Sequence, residues 1–177
     1  SAASSVDASR LIDAAMRPNA AIAYHPEGFD TSAERLMGRQ AAGEGFLEGF
    51  ARHGGIDTLY CFTRAAAAFD DFVRRCGRAG PTPPLCEHIP ESRPDRLKRP
   101  GCLFLSSPML GPLAAQRATI GANAYSLCGV THTLASAAVM DALGAYLIAP
   151  LEPWDALICT STAAKAVVGR ILEAEAA

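Results

Sequence analysis

The sequence predicts an α/β fold: a three-layer α/β/α sandwich around a Rossmann-like, mainly parallel sheet. Short runs of apolar residues recur along the chain without polar alternation, as in strands that are buried on both faces. Amphipathic helical segments separate these runs, and right-handed strand–helix–strand units of this kind build doubly wound sheets. The length of 177 residues suits one domain, so we expect a single Rossmann-like domain over residues 1–177.

The beginning of the chain contains a predicted helix, a strand and a long loop. Residues 6–12 begin a short helix that ends before Pro18, and the apolar run 20–25 is the first predicted strand. In the loop that follows, Thr31 and Glu34 have the spacing of a capping box, which predicts one helical turn.

Two amphipathic helices flank the second predicted strand, residues 57–63. The helix over 40–55 has three apolar side chains on one face and two glycines at its end. These apolar residues are Phe46, Leu47 and Phe50. The helix over 64–77 has an apolar stripe at helical spacing, and Gly77 ends it. This stripe is Phe69, Phe72, Val73 and Cys76. Ion pairs at i, i+4 are predicted on the opposite side, between Asp70 and Arg74 and between Asp71 and Arg75.

The second half of the chain continues the alternation. Residues 78–100 are rich in proline, arginine and glycine, which predicts a surface loop around one short strand at 85–89. The remaining predicted elements are strand 102–107, helix 111–121, strand 124–130, helix 134–143, strand 155–161 and helix 162–177. The apolar stripe of the last helix is Val167, Val168, Ile171 and Leu172.

Composition excludes several classes of protein. A formal net charge of −2 argues against nucleic-acid binding through phosphate contacts. No apolar run approaches the roughly 20 residues that a transmembrane helix needs. The six cysteines form no CxxC pair and have no zinc-site spacing with histidine, so we expect no metal site. Most of them lie in strand-like apolar runs, which indicates reduced, mostly buried thiols and a cytoplasmic protein.

Polar residues at the ends of the predicted strands are the candidate site residues, because ligands of open α/β sheets bind at the carboxyl ends of the strands. The candidates are His25, Thr63, Thr131-His132-Thr133, Thr160-Ser161-Thr162 and, if a helix begins there, Gly43-Glu44-Gly45. Each also has a plainer interpretation. Thr133 and Ser161 could cap the helices that follow, His25 could be an ordinary loop histidine, and Gly43 and Gly45 could be close-packing glycines.

His132 is the sharpest of these candidates. A histidine at a strand end can offer a ring N–H to a ligand hydroxyl, and the helix start beside it has free N–H groups that favour a phosphate or carboxylate. The motifs GxSxG, GxxxxGK[ST] and HExxH are absent from the sequence. The chain therefore lacks an obvious self-sufficient catalytic set.

Three segments together resemble the N-terminal domain of bacterial family 4 glycosyltransferases, which have the GT-B architecture of two Rossmann-like domains. The segments are YHPEGFDTSAERLMGRQAAGEGFLEGF, AYSLCGVTHTLASAAVMDAL and PWDALICTSTAAKAVV, and the likeness covers about residues 20–172. In that family the N-terminal domain binds the acceptor, the C-terminal domain binds the nucleotide sugar, and transfer occurs in the cleft between them. The acidic E-x7-E motif of the second domain is not in these residues, so we expect it to lie beyond Ala177.

The resemblance also implies roles for particular residues. Gly43 and Gly45 match the glycine loop that approaches the donor diphosphate, although the insert 26–39 displaces them from their strand. His132 matches the histidine that contacts the donor sugar, and we assign it a catalytic role. Thr133 matches a threonine that meets the acceptor phosphate, and we place Glu44 and His25 on the acceptor side as well.

The predicted function is the acceptor-side domain of a retaining glycosyltransferase that takes a sugar from a nucleotide-sugar donor. The expected partners are a sugar or phosphosugar acceptor and a nucleotide sugar shared with a second domain, without any cofactor. Two alternatives from other classes stay open. One is a stand-alone Rossmann-like module that binds a small molecule or phosphate, and the other is a non-catalytic partner subunit.

Overall fold

A computed structural model of the chain describes residues 19–29, 38–132 and 134–177. The predicted helix that ends before Pro18, the capping-box pair Thr31 and Glu34, and Thr133 lie outside these described residues. The strands are β1 (Ala21–Ala23), β2 (Thr58–Thr63), β3 (Leu85–Pro90), β4 (Cys102–Leu105), β5 (Ser126–Thr131) and β6 (Ala156–Cys159). The helices are α1 (Gly38–His53), α2 (Ala66–Cys76), α3 (Gly111–Ala118), α4 (Ala137–Gly144) and α5 (Thr162–Glu175).

The six strands form one parallel sheet in the order β3-β2-β1-β4-β5-β6. Ala21 of β1 pairs with Tyr60 of β2 on one side and with Leu103 of β4 on the other. The predicted α/β class with a parallel, Rossmann-like sheet is therefore confirmed. Strands β2 and β3 are added on one side of β1, and β4, β5 and β6 on its other side, so the strand order switches between β1 and β4. In a sheet of this order the ligand crevice is expected at that switch point.

Helices cover the sheet on both faces, which makes the three layers. On one face, α1 and α2 pack over β1, β2 and β4 through a core that includes Ile22, Leu59 and Phe72. On the other face, α3 packs over Ala21, Leu103 and Leu127. Helices α4 and α5 continue this second layer over β6. Burial of strand side chains on both faces explains why the strand sequences lack polar alternation.

Helix α2 buries a narrower stripe than the sequence predicts. Phe72 and Cys76 are buried as expected, but Val73 is exposed and Ala68 is buried in its place. The predicted Asp71–Arg75 ion pair is confirmed at 3.0 Å. The predicted Asp70–Arg74 pair is wrong, because Arg74 instead pairs at 2.9 Å with the adjacent Asp71, which is less exposed than Asp70.

Two further predictions need correction. The region 78–100 contains β3 as predicted, but it also holds a short 3-10 helix, Pro94–Lys98, whose Leu97 is fully buried. All six cysteines are free thiols, and only Cys61 and Cys76 are buried, while the other four are half-buried. The prediction of mostly buried thiols is therefore wrong, and two of the half-buried thiols, Cys86 and Cys159, lie on the two edge strands of the sheet.

A buried ion pair lies at the amino ends of β5 and β6. The guanidinium of Arg117 in α3 is fully buried and donates to both carboxylate oxygens of Asp155, at 2.5 and 2.8 Å. Arg117 also donates to the backbone oxygens of Tyr125 and Pro150, and Asp155 accepts from the backbone N–H of Leu127. This network joins α3 to the starts of β5 and β6, at the opposite end of the strands from the predicted site.

Candidate functional site at the β1–β4 switch point

A cleft of about 750 Å³ opens at the carboxyl ends of β1, β4 and β5. Three segments form its walls: the turn 25–29 after β1, the loop 105–109 after β4, and the stretch that runs from His132 into α4. The volume is in the range of pockets that hold small-molecule ligands. The cleft thus lies at the position where the strand order alone places a ligand site.

His25 and His132, both predicted from their positions after strands, lie in this cleft. His25 is exposed, and its Nε2 lies 3.8 Å from Oε1 of Glu91 at the rim. His132 follows directly after β5 and lines a second cavity of about 290 Å³ as well, beside Thr160 and the first turn of α5. His132 therefore stands between two openings, which suits a side chain that contacts more than one part of a ligand.

Thr131 anchors the strand end that carries His132. Its side chain is buried, and its Oγ1 accepts a hydrogen bond from the backbone N–H of Thr160 at 3.1 Å. The hydroxyl can donate in turn to the backbone oxygen of Ile158. Thr131 thus joins the ends of β5 and β6 and does not face the cleft, which gives a structural reason for one of the three polar residues at this strand end.

Helix α4 begins three residues later than the sequence predicts. Its cap is Ser136, whose Oγ accepts from the N–H of Val139 at 3.3 Å. The cap interpretation of Thr133 therefore fails, because the chain turns into the helix only after Leu134 and Ala135. Ser136, Ala138 and Val139 line the cleft, so the first turn of α4 forms part of the wall that includes His132. The plainer interpretation of Ser161 is confirmed, since it caps α5 through the N–H of Ala164 at 3.0 Å.

Gly43 and Gly45 lie within α1, which already runs from Gly38, so no helix begins at them. A Cβ atom at Gly43 would lie 2.8 Å from the carbonyl oxygen of Gly28 and 3.1 Å from the ring of Phe29. Gly43 thus allows α1 to pack against the back of the turn 25–29. Gly45 faces open space away from the cleft, and a Cβ there would meet nothing within 4 Å. This geometry favours close packing for Gly43 over the diphosphate contact that the resemblance implies.

Glu44 also lies behind the cleft wall. Its carboxylate is 3.4 Å from Nη1 of Arg75, and the same Arg75 nitrogen donates to the backbone oxygen of Phe29 at 2.7 Å. Arg75 and Tyr24 both bond Asp71. Burial alone would raise the pKa of the Asp71 carboxyl, but the hydrogen bonds from Tyr24, Arg74 and Arg75 outweigh it and lower the pKa to about 2. The Asp71 carboxylate therefore stays charged and positions Arg75, which in turn bonds the backbone of the turn 25–29 at Phe29.

Thr63 has a structural place as well. It is buried at the end of β2, and its backbone oxygen lies 3.1 Å from Nε2 of His88 and accepts from the N–H of Glu91. Thr63 does not line the cleft. It links the carboxyl end of β2 to that of the edge strand β3.

Several residues that line the cleft were not predicted from the sequence as site residues: Glu27, Ser106, Ser107, Met109 and Ser136. Ser106 and Ser107 follow β4 directly, so the strand-end rule that selected His25 would also have selected them. The sequence predicts both serines as part of the strand 102–107, whereas β4 ends at Leu105. Only the strand order shows that β4 lies beside β1 and that these serines therefore line the same cleft as His25.

The fold and the cleft define a class: an open, parallel α/β sheet with a cleft at its switch point. Among the described residues, no helix is long and apolar enough to cross a bilayer, and no cluster of His, Cys, Asp and Glu could hold a metal ion. The chain matches no protein-family model, and no curated protein or solved structure matches it either.

Proposed function

We propose that this chain is the acceptor-side domain of a retaining glycosyltransferase that takes its sugar from a nucleotide-sugar donor. One observation carries the proposal: hydroxyl and imidazole side chains from three separate segments converge on one cleft at the β1–β4 switch point. Ser106, Ser136 and His132 are suited to bind the hydroxyl groups of a sugar-like ligand. The resemblance of the quoted segments to family 4 glycosyltransferases supports the same assignment.

In the proposed reaction the bond between the sugar C1 and the diphosphate oxygen breaks, and a bond forms between C1 and the acceptor oxygen. The acceptor hydroxyl proton passes to the leaving diphosphate or to water, so the charges balance. The contribution of this domain is to hold the acceptor hydroxyl in position beside C1 and to donate hydrogen bonds as charge develops. His132 stands at the rim between the two cavities, where it can bond a hydroxyl of the transferred sugar.

The donor nucleotide belongs, in this proposal, to a second domain beyond these residues. The lining of the cleft supports that division, because the charged side chain among its described residues is the carboxylate of Glu27. A diphosphate would be repelled by it and would find no lysine or arginine among the described lining residues. We also propose a bacterial, cytoplasmic setting, where nucleotide sugars are available and thiols stay reduced.

Titration of the 177-residue chain with ligands tests the proposal. We expect UDP and UDP-glucose to bind no more tightly than about millimolar, and simple glycosides to shift the amide resonances of Ser106, His132 and Ser136. His132→Ala should remove the glycoside shifts, whereas His53→Ala, at the exposed end of α1, should leave them intact. Micromolar binding of UDP-glucose by this chain would overturn the two-domain proposal.

A stand-alone binding module is the second candidate. It is favoured by one observation, namely that the described residues of this chain by themselves line a cleft of about 750 Å³. Tight binding of a small ligand by the isolated chain, together with no sugar transfer by any longer form of the protein, would support it.

A further inference from the structure

The cleft at the switch point has an apolar side that hydroxyl binding does not use. Leu105 at the end of β4, Met109 in the loop after it, and Val139 in α4 line the same space as Ser106 and His132. Met109 is 44% exposed, so its side chain already stands at the opening with much of its surface in water. Apolar side chains in a ligand cleft contribute most to the free energy of binding when an apolar part of the ligand covers them and removes them from water.

The size and charge of the cleft also favour a ligand with an apolar part and without a phosphate. A volume of about 750 Å³ suits a drug-sized ligand better than a single small sugar. Among the described residues that line it, Glu27 is the one carboxylate, and lysine and arginine do not occur. These features disfavour a phosphosugar as the main occupant, because a phosphate would lie near Glu27 without a cationic partner in this part of the chain.

We propose that the acceptor is an uncharged amphiphile: a hydroxyl-bearing headgroup joined to an apolar group such as an aryl ring or a short alkyl chain. This inference rests on the proposed function and names its substrate class. The headgroup hydroxyls face Ser106, His132 and the first turn of α4, and the apolar group packs against Met109, Leu105 and Val139. The apolar contact raises affinity, and the hydroxyl contacts orient the reacting oxygen.

Three probes test this inference by NMR titration of the full 177-residue chain: methyl β-D-glucoside, phenyl β-D-glucoside and phenol. Burial of the phenyl ring should make phenyl glucoside bind about tenfold more tightly than methyl glucoside, with both shifting the amide of His132. Met109→Gln should abolish most of this ratio. Met140→Gln is the matched control, because Met140 is 41% exposed on α4 but does not line the cleft.

The outcomes separate the two proposals. Equal affinity of the two glucosides at the cleft would overturn the amphiphile and leave the hydroxyl-binding acceptor site intact. Tight binding of phenol, as strong as that of phenyl glucoside, would show an apolar pocket without a headgroup site and would overturn both. If neither glucoside shifts any residue of the cleft, both proposals also fail. A phenyl-dependent gain that survives Met109→Gln would place the ring elsewhere and would contradict the inference alone.

Discussion

Gly43→Ala is the substitution that best separates a packing glycine from a ligand-binding one. Gly43 is buried in α1 beside the turn that forms one wall of the cleft. A methyl group there would lie 2.8 Å from the carbonyl oxygen of Gly28, closer than ordinary contact at 3.4 Å. The turn or the helix must therefore shift by about 0.6 Å, the difference between those two distances.

The turn has little freedom to move by that amount. Nε2 of Gln40 donates to the backbone oxygen of Glu27 at 3.2 Å, and Arg75 donates to that of Phe29 at 2.7 Å. Overpacking of this kind costs about 1–3 kcal/mol, while replacing a helical glycine by alanine gains only about 0.5–1 kcal/mol. We therefore expect Gly43→Ala to lower the free energy of unfolding by about 0.5–2 kcal/mol.

Gly45→Ala is the matched control, two residues along the same helix. Because nothing lies within 4 Å of its added Cβ, we expect it to stabilise the protein by about 0.5–1 kcal/mol. Urea unfolding of both variants, followed by circular dichroism, measures the two changes of opposite sign. If Gly43→Ala is as stable as Gly45→Ala, the packing argument is refuted. Loss of diphosphate binding without loss of stability would instead favour the role that the family resemblance implies.

Four further predictions follow from the structure. His132→Ala in an active transferase that contains this domain should lower turnover by about one to three decades with a nearly unchanged melting temperature, and a destabilised variant with normal single-turnover rate would contradict a functional role. The folded pKa of Asp71 is depressed to about 2, so its contribution of about 2 kcal/mol to the free energy of unfolding is present above pH 4 and is lost as the pH falls from 4 toward 2. Urea unfolding across that range should show this loss in the wild type and in the exposed neighbour variant Asp70→Asn, but not in Asp71→Asn. Asp155→Ala leaves the buried Arg117 without its carboxylate and should destabilise the protein by about 3–5 kcal/mol in thermal or urea unfolding, whereas Asp95→Ala, at an exposed ion pair with Arg93, should change little. Iodoacetamide labelling read by mass spectrometry should modify Cys86 before Cys102, because a hydrogen bond from Cys76 lowers the pKa of the Cys86 thiol while burial raises that of Cys102; the opposite order would refute this reading of the two half-buried thiols.

Local pattern is enough to predict the strands and most of the helices, because each depends on residues close together in the chain, and the lack of polar alternation in the strands indicates a parallel sheet covered on both faces. Burial on a particular face was harder to predict. Val73 fits the apolar spacing of α2 as well as Phe72 does, yet it is exposed because α2 presents Ala68, Phe72 and Cys76 to the sheet. The start of α4 was misplaced for a similar reason. Thr133 and Ser136 are equally good caps by residue type, and the path of the chain out of β5 decides between them.

The site depends on contacts between distant residues, which explains why its polar strand ends were predicted and its neighbours were not. His25 and His132 are visible because each follows an apolar run, but no local pattern shows that β4 lies between their strands. The same holds for the glycines that shape the cleft. Gly129 in β5 is required because a Cβ there would lie 2.7 Å from the carbonyl oxygen of Ser107, in the loop that forms the wall after β4. Gly129 and Gly43 thus have the same role at two walls of the cleft: each lets a segment that lines the cleft approach an element distant from it in sequence. The two glycines therefore shape the cleft through the close backbone approach that they allow, while hydroxyl and imidazole side chains line it.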